Sequence, residues 1–236
     1  MEIMIRFFAG HHSSLWRQNC RPRLRECLRY VSTKAPHTDI ASFLTYAAAT
    51  NLSPTSTFYV GTLYEYMVLR ELRAFNISLH RTGGTDDKGV DLRGRWLLPH
   101  HTQYSDGIPV VVQCKAERRP TGPKYVRELE GATTAEDPGT MVILATLSRF
   151  TEGCRRVIMG SGRAMGVVLV GGPEVDGKVT QVMWNAAAGR LLGNELGVKT
   201  VFDTGILHEV ENVGSRIVLT WNGSIIKPRK NIPGAI

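Results

Sequence analysis

Two short apolar runs, Thr140-Met141-Val142-Ile143-Leu144-Ala145 and the stretch from Ala164 to Val170, constrain this chain more than any other feature. Each is too short for a buried helix and lacks a polar face, so each predicts a strand covered on both sides. A third run, Ile108-Pro109-Val110-Val111-Val112-Gln113-Cys114-Lys115, is apolar until its last three residues. Helical patterns from about Lys124 to Ala135 and over 151–163 separate the three. Strands linked by helices need a layer of helices against the sheet.

The segment before these runs supplies the rest of that layer. Val60, Leu63, Tyr64, Met67, Val68, Leu72 and Phe75 recur at i, i+3, i+4, i+7 spacing, which predicts an amphipathic helix capped by Thr57 and ending near Phe75. Pro36 and Asp39 introduce a shorter helix, 40–49, followed by a loop, 51–56, containing Pro54. A short strand is expected at 77–81 and a longer one near 90–98, joined by the glycine-rich polar turn 82–89. His100 and His101 fall in the next loop with no acid or cysteine at ligand spacing, so they read as exposed loop histidines.

Past Pro173 the pattern changes. A strand is expected at 179–184, a helix at 186–196, and a hairpin around Asn222-Gly223 with a type I′ turn. The expected fold class is α/β: a mixed sheet flanked by helices over 57–172, preceded by a helix and linker over 31–56, with a C-terminal α/β extension over 173–236.

Residues 1–30 carry six arginines (Arg6, Arg17, Arg21, Arg23, Arg25, Arg29) against Glu2 and Glu26. An arginine-rich, acid-poor leader predicts a mitochondrial transit peptide, and Arg29-Tyr30-Val31-Ser32 reads as its processing site. The matrix is the expected destination. An arm that stays and binds nucleic acid is the alternative. Three N-x-S sequons, at Asn51, Asn76 and Asn222, are then chance matches. No apolar run reaches ~18 residues, so membrane insertion is not expected. The four cysteines (Cys20, Cys27, Cys114, Cys154) include no C-x-x-C pair, which supports neither a disulfide framework nor a zinc site.

Asp91 opens one strand, and Gln113-Cys114-Lys115 closes the next. In alternating geometry Gln113 and Lys115 share a face while Cys114 takes the other. A carboxylate beside an amide and an ammonium can hold a hard cation next to a phosphate. Without further context the same residues read as an edge carboxylate and a polar strand end. Asp87 reads as a turn residue, and Gly83, Gly84 and Gly89 as sites of unusual backbone angles.

The ordered text Tyr64-Glu65, Gly84-Thr85-Asp86-Asp87-Lys88-Gly89-Val90-Asp91, Val112-Gln113-Cys114-Lys115 and Val126-Arg127-Glu128-Leu129-Glu130-Gly131-Ala132 resembles the Mrr-type branch of the PD-(D/E)xK restriction-endonuclease-like superfamily. The resemblance covers roughly residues 60–170. With the leader and the length, it also resembles the fungal mitochondrial family named required for respiratory growth, member seven.

The superfamily resemblance implies a restriction-endonuclease-like core and a Mg²⁺- or Mn²⁺-dependent nuclease site acting on nucleic acid, DNA first. Its catalytic residues would be Glu65, Asp91, Gln113 and Lys115, with Asp91, the Gln113 amide oxygen and the Cys114 carbonyl on the metal. A hard cation prefers such oxygens. Lys115 would orient water or neutralise the transition-state oxyanion. Gln113 stands where most of the superfamily has glutamate, which removes one charge from the metal site. Helical periodicity alone would single out Glu71, nearer the apolar stripe; the resemblance selects Glu65. Lys88, Arg118, Arg119, Lys124 and Arg127 would meet the phosphate backbone, although Glu117, Glu128 and Glu130 interleave with the last four. The rival readings are an inactive nuclease-fold protein that binds nucleic acid, and a protein partner of a mitochondrial assembly.

Overall fold

The computed structural model describes residues 37–82, 89–99, 104–173, 177–203 and 214–229. The leader, most of the glycine-rich turn with Asp87 and Lys88, and His100 and His101 lie outside the described residues.

The chain opens with α1 (Ile40–Ala49) and α2 (Thr57–Arg73). Asp39 caps α1 through a reciprocal capping box with Ser42. Ser56, not Thr57, caps α2: its hydroxyl accepts from the Tyr59 N–H at 3.2 Å. Strands β1 (Ile77–Arg81), β2 (Leu92–Trp96) and β3 (Ile108–Lys115) form an antiparallel meander. Helix α3 (Pro123–Ala132), β4 (Met141–Thr146), α4 (Glu152–Gly160) and β5 (Met165–Val170) follow, and β3, β4 and β5 are parallel neighbours. The expected mixed sheet flanked by helices is therefore present.

All six residues of β4 are buried, as a strand covered on both faces requires. One face packs Tyr64, Val68 and Leu72 of α2 against Val110, Val112, Ile143 and Val168. The other packs Val126 and Leu129 of α3 and Cys154 and Ile158 of α4 against Val111, Leu144 and Val167. Cys154 is a buried core thiol whose pKa burial raises.

Several boundaries differ from those the sequence suggests. Helix α3 stops at Ala132 rather than near 135. Thr133 and Thr134 turn their hydroxyls back to carbonyls of Leu129, Glu130 and Gly131, competing with further helix. Beyond Pro173, β6 (Val179–Trp184) pairs antiparallel with β5 and becomes the sixth strand of the main sheet, in the order β1-β2-β3-β4-β5-β6. Helix α5 (Ala186–Leu192) is shorter than expected because Gly193, at φ +89, breaks it. Leu196 then begins β7 (Leu196–Asp203), a strand absent from the sequence reading, which pairs with β8 (Gly214–Trp221). Asn222 and Gly223, at φ +47 and +78, turn β8 into β9 (Ser224–Ile225), as a type I′ turn demands.

Asn51, Asn76 and Asn222, the three sequon asparagines, are also the non-glycine residues with positive φ among those described. Asparagine tolerates that region because its short amide bonds locally. Asn76 is buried, accepting from the Arg229 N–H at 2.7 Å and donating to the Lys227 carbonyl. The fold thus uses these asparagines as turn formers.

His37 fastens the start of this unit to α2. Tyr66 donates its hydroxyl proton to the His37 carbonyl at 2.8 Å, so the 2.7 Å contact with Nδ1 requires Nδ1–H to donate to the tyrosine oxygen. Burial, then the Arg81 charge, lowers the His37 pKa. A histidine held neutral contributes its full stability above its unfolded value near 6.5. That stability is lost as pH falls below this value and levels off once the depressed folded pKa is passed. Comparing melting temperatures of wild type and His37→Gln between pH 7.5 and 5 should therefore show the gap between them narrowing on acidification.

Candidate functional site

The site lies where β2 and β3 part at the end of their pairing. Asp91 precedes the first residue of β2, its N–H donating to the Val112 carbonyl at 2.9 Å. Its carboxylate reaches across to the neighbouring strand and accepts from the Cys114 N–H at 2.6 Å. The acid is thus anchored to the peptide lying between Gln113 and Lys115. The two strands bring the Asp91 carboxylate to the Cys114 backbone.

Alternation on β3 sorts the rest. Val110 and Val112 face α2, and Cys114 continues that side, packed beside Tyr64's cluster. Gln113 and Lys115 take the side of Val111, facing α3. Gln113 is buried, and its Oε1 has no hydrogen-bond partner among the described residues. Its amide nitrogen packs on Gly89, 3.3 Å from where a Cβ would stand. Gly89 itself has φ +81, so a side chain there would meet both strain and the amide.

Lys115 is half-buried, its ammonium 5.2 Å from the centre of the Tyr125 ring. The Tyr125 hydroxyl donates to the Glu117 carboxylate at 2.6 Å, and this bond raises the tyrosine's pKa. An aromatic face with its hydroxyl tied to a carboxylate steadies the lysine over the strand end. Tyr125 did not emerge from the sequence because nothing in helical spacing points it at Lys115.

Glu65 projects from α2 toward the end of β1, where its Oε2 accepts from Arg81 Nε at 2.6 Å. Arg81 lies 5.0 Å above the Tyr66 ring and donates to its hydroxyl at 3.5 Å. Glu71, the alternative from periodicity, pairs with Arg70 instead at 2.8 Å. Cys114 shows how close the charges lie. Burial first, then Asp91 and Glu65, push its thiol pKa well up, while Arg81 and Lys115 pull it down. Glu65 on α2 stands on the Cys114 side of the sheet, while Gln113 and Lys115 stand on the α3 side.

Among the described residues no three His, Cys, Asp or Glu side chains gather as a metal cluster. The oxygens that suit a hard cation are the Asp91 carboxylate and the orphaned Gln113 Oε1, and a buried acceptor without a donor invites one. The residues fit a divalent cation with few protein charges, whose remaining positions water and phosphate would fill.

Of the expected backbone contacts, Arg118, Arg119, Lys124 and Arg127 are exposed around the entrance to α3. Lys124 reaches Glu128 at 3.6 Å across one helical turn, a solvated pair worth little.

These features define a mixed α/β protein with a carboxylate, an amide and a lysine at the open end of a strand pair. The chain belongs to the family described as Required for respiratory growth protein 7, whose model matches residues 56–109 and 101–202. That family is needed for respiratory growth in mitochondria. An uncharacterized mitochondrial protein of Schizosaccharomyces pombe is 32% identical over 152 residues, covering 64% of this chain and 61% of its own. The mitochondrial Required for respiratory growth protein 7 of Saccharomyces cerevisiae is 31% identical over 119 residues, 34% of this chain and 49% of its own. The counterpart in Zygosaccharomyces rouxii is 38% identical over 73 residues, 30% of each chain. The chain thus matches about half to three-fifths of the first two relatives. No solved structure matches it. No helix among the described residues is long and apolar enough to cross a membrane.

Proposed function

We propose that this is a restriction-endonuclease-like protein of the PD-(D/E)xK superfamily, Mrr-type branch, acting in the mitochondrial matrix. It hydrolyses phosphodiester bonds of DNA with Mg²⁺ or Mn²⁺. The observation that carries this reading is the Asp91 carboxylate bonded to the peptide between Gln113 and Lys115, beside an orphaned Gln113 Oε1.

Asp91, the Gln113 amide oxygen and the Cys114 carbonyl hold the cation. A divalent cation held there would supply polarisation of the scissile phosphate and a more acidic attacking water. Lys115, kept over Tyr125, lies where its charge orients that water or offsets the developing oxyanion. Glu65, paired with Arg81, is the fourth member. Arg118, Arg119, Lys124 and Arg127 take the flanking phosphate backbone together with Lys88.

Incubating the purified full chain with DNA and Mg²⁺ or Mn²⁺ tests this. Cleavage that a chelator stops is the expected outcome, and intact DNA under both metals removes the nuclease reading. A second reading, nucleic-acid binding without turnover in mitochondrial genome maintenance, draws on the amide at Gln113 and on the lack of a three-member acid cluster among the described residues. It requires salt-sensitive binding with no nicking.

A further inference from the structure

We propose that Arg81 is a phosphate-binding residue of this site, its guanidinium receiving a non-bridging phosphate oxygen of bound nucleic acid. Glu65 and Tyr66 serve to position it. The inference rests on the nucleic-acid reading above and adds a residue that reading does not contain.

A guanidinium has five N–H donors and no acceptor. Arg81 commits Nε to Glu65 at 2.6 Å and offers Nη1 to the Tyr66 hydroxyl at a long 3.5 Å. Among the described residues nothing accepts from Nη2. The side chain is only 14% exposed, so it is not a solvated surface arginine swinging in water. A largely sequestered cation with idle donors is costly unless something completes it. A phosphate does so well, because two parallel N–H bonds match two of its oxygens.

The placement also serves that purpose. Glu65 fixes one edge of the guanidinium plane, and the Tyr66 ring supports its face at 5.0 Å. Tyr66 is itself locked to His37. Nε–H and the neighbouring Nη2–H share the edge that Glu65 takes, so the donors that remain are those of the Nη1–Nη2 end. Glu65, 18% exposed and already bonded to Arg81, then holds this arginine rather than a cation.

The test compares wild type, Arg81→Lys, Arg81→Ala, Glu65→Gln and the charge-balanced double variant Glu65→Gln/Arg81→Gln, each confirmed folded by melting. Binding of a fluorescent duplex is followed against salt, and cleavage against Mg²⁺. Losing one phosphate contact should lower the slope of log affinity against log salt by about 0.9 in Arg81→Ala and in the double variant. Arg81→Lys should keep the slope but bind more weakly, for want of the fork. Glu65→Gln, which loosens the guanidinium's anchor, should weaken duplex binding while the salt slope stays. An unchanged salt slope in both variants lacking the guanidinium overturns the inference while leaving the nuclease reading intact. If wild type binds no nucleic acid at all, both fall together.

Discussion

Asp91→Asn should reduce DNA cleavage by about 10³-fold or more while leaving the melting temperature close to wild type. The asparagine is the informative substitution because its amide oxygen can still accept from the Cys114 N–H that the carboxylate engages at 2.6 Å. It removes the negative charge and keeps the anchor. Alanine would remove both, and an unpaired N–H there costs about 1–3 kcal/mol, so lost activity could reflect lost structure. Lys115→Ala should have a comparable effect on cleavage, since the half-buried lysine contributes little to stability beyond its contact with Tyr125. Cleavage surviving both substitutions would remove the catalytic role assigned to this strand end.

The largest effect on stability is expected at Asn185, far from that site. Its side chain is buried and joins three elements. Oδ1 accepts from the Ala188 N–H at 2.9 Å and the Met165 N–H at 3.2 Å. Nδ2 donates to the carbonyls of Ile158, Ser161 and Arg163 at 3.1, 3.1 and 2.7 Å, two hydrogens shared among three acceptors. The end of α4, the start of β5 and the cap of α5 thus meet in one amide. Asn185→Ala should cost about 3–5 kcal/mol, measured by urea unfolding, because five backbone groups lose this partner in a dry setting. Asn185→Asp, nearly isosteric, should be worse at neutral pH. It puts a carboxylate against three carbonyl oxygens and supplies no donor.

Much of this architecture was legible in the chain. The full burial of β4 and the burial of all of β5 but Leu169 follow from runs with no polar face, and α2 follows from its apolar spacing. The Asn222-Gly223 turn was plain because few dipeptides accept two successive positive φ values. What escaped was tertiary. β7 was hidden because Leu196 can continue a helical pattern, and only Gly193 decides against it. Asn185 looks like any helix cap until α4 and β5 close around it.

The site divides along the same line. Alternation on β3 was enough to set Gln113 and Lys115 together against Cys114, because a strand's period is fixed. That Asp91 would reach the Cys114 N–H depended on how β2 and β3 part, which no local pattern encodes. Arg81 and Glu65 meet only through the packing of α2 on β1. Tyr125 lies a helix away from the lysine it supports. Arg118, Arg119, Lys124 and Arg127 were readable as a basic stretch, and they remain on the surface.

Asp91 and Gln113 Oε1 should share a divalent cation. The most direct measurement is thermal stability titrated with Mg²⁺ and Mn²⁺, because a ligand that binds only the folded state raises the melting temperature with its concentration. Wild type should rise steadily, whereas Asp91→Asn and Gln113→Met should not. Without metal, Gln113→Met should be at least as stable as wild type, since it removes a buried acceptor that has no donor among the described residues. A wild type indifferent to both cations, or a rise that persists in both variants, would contradict the claim.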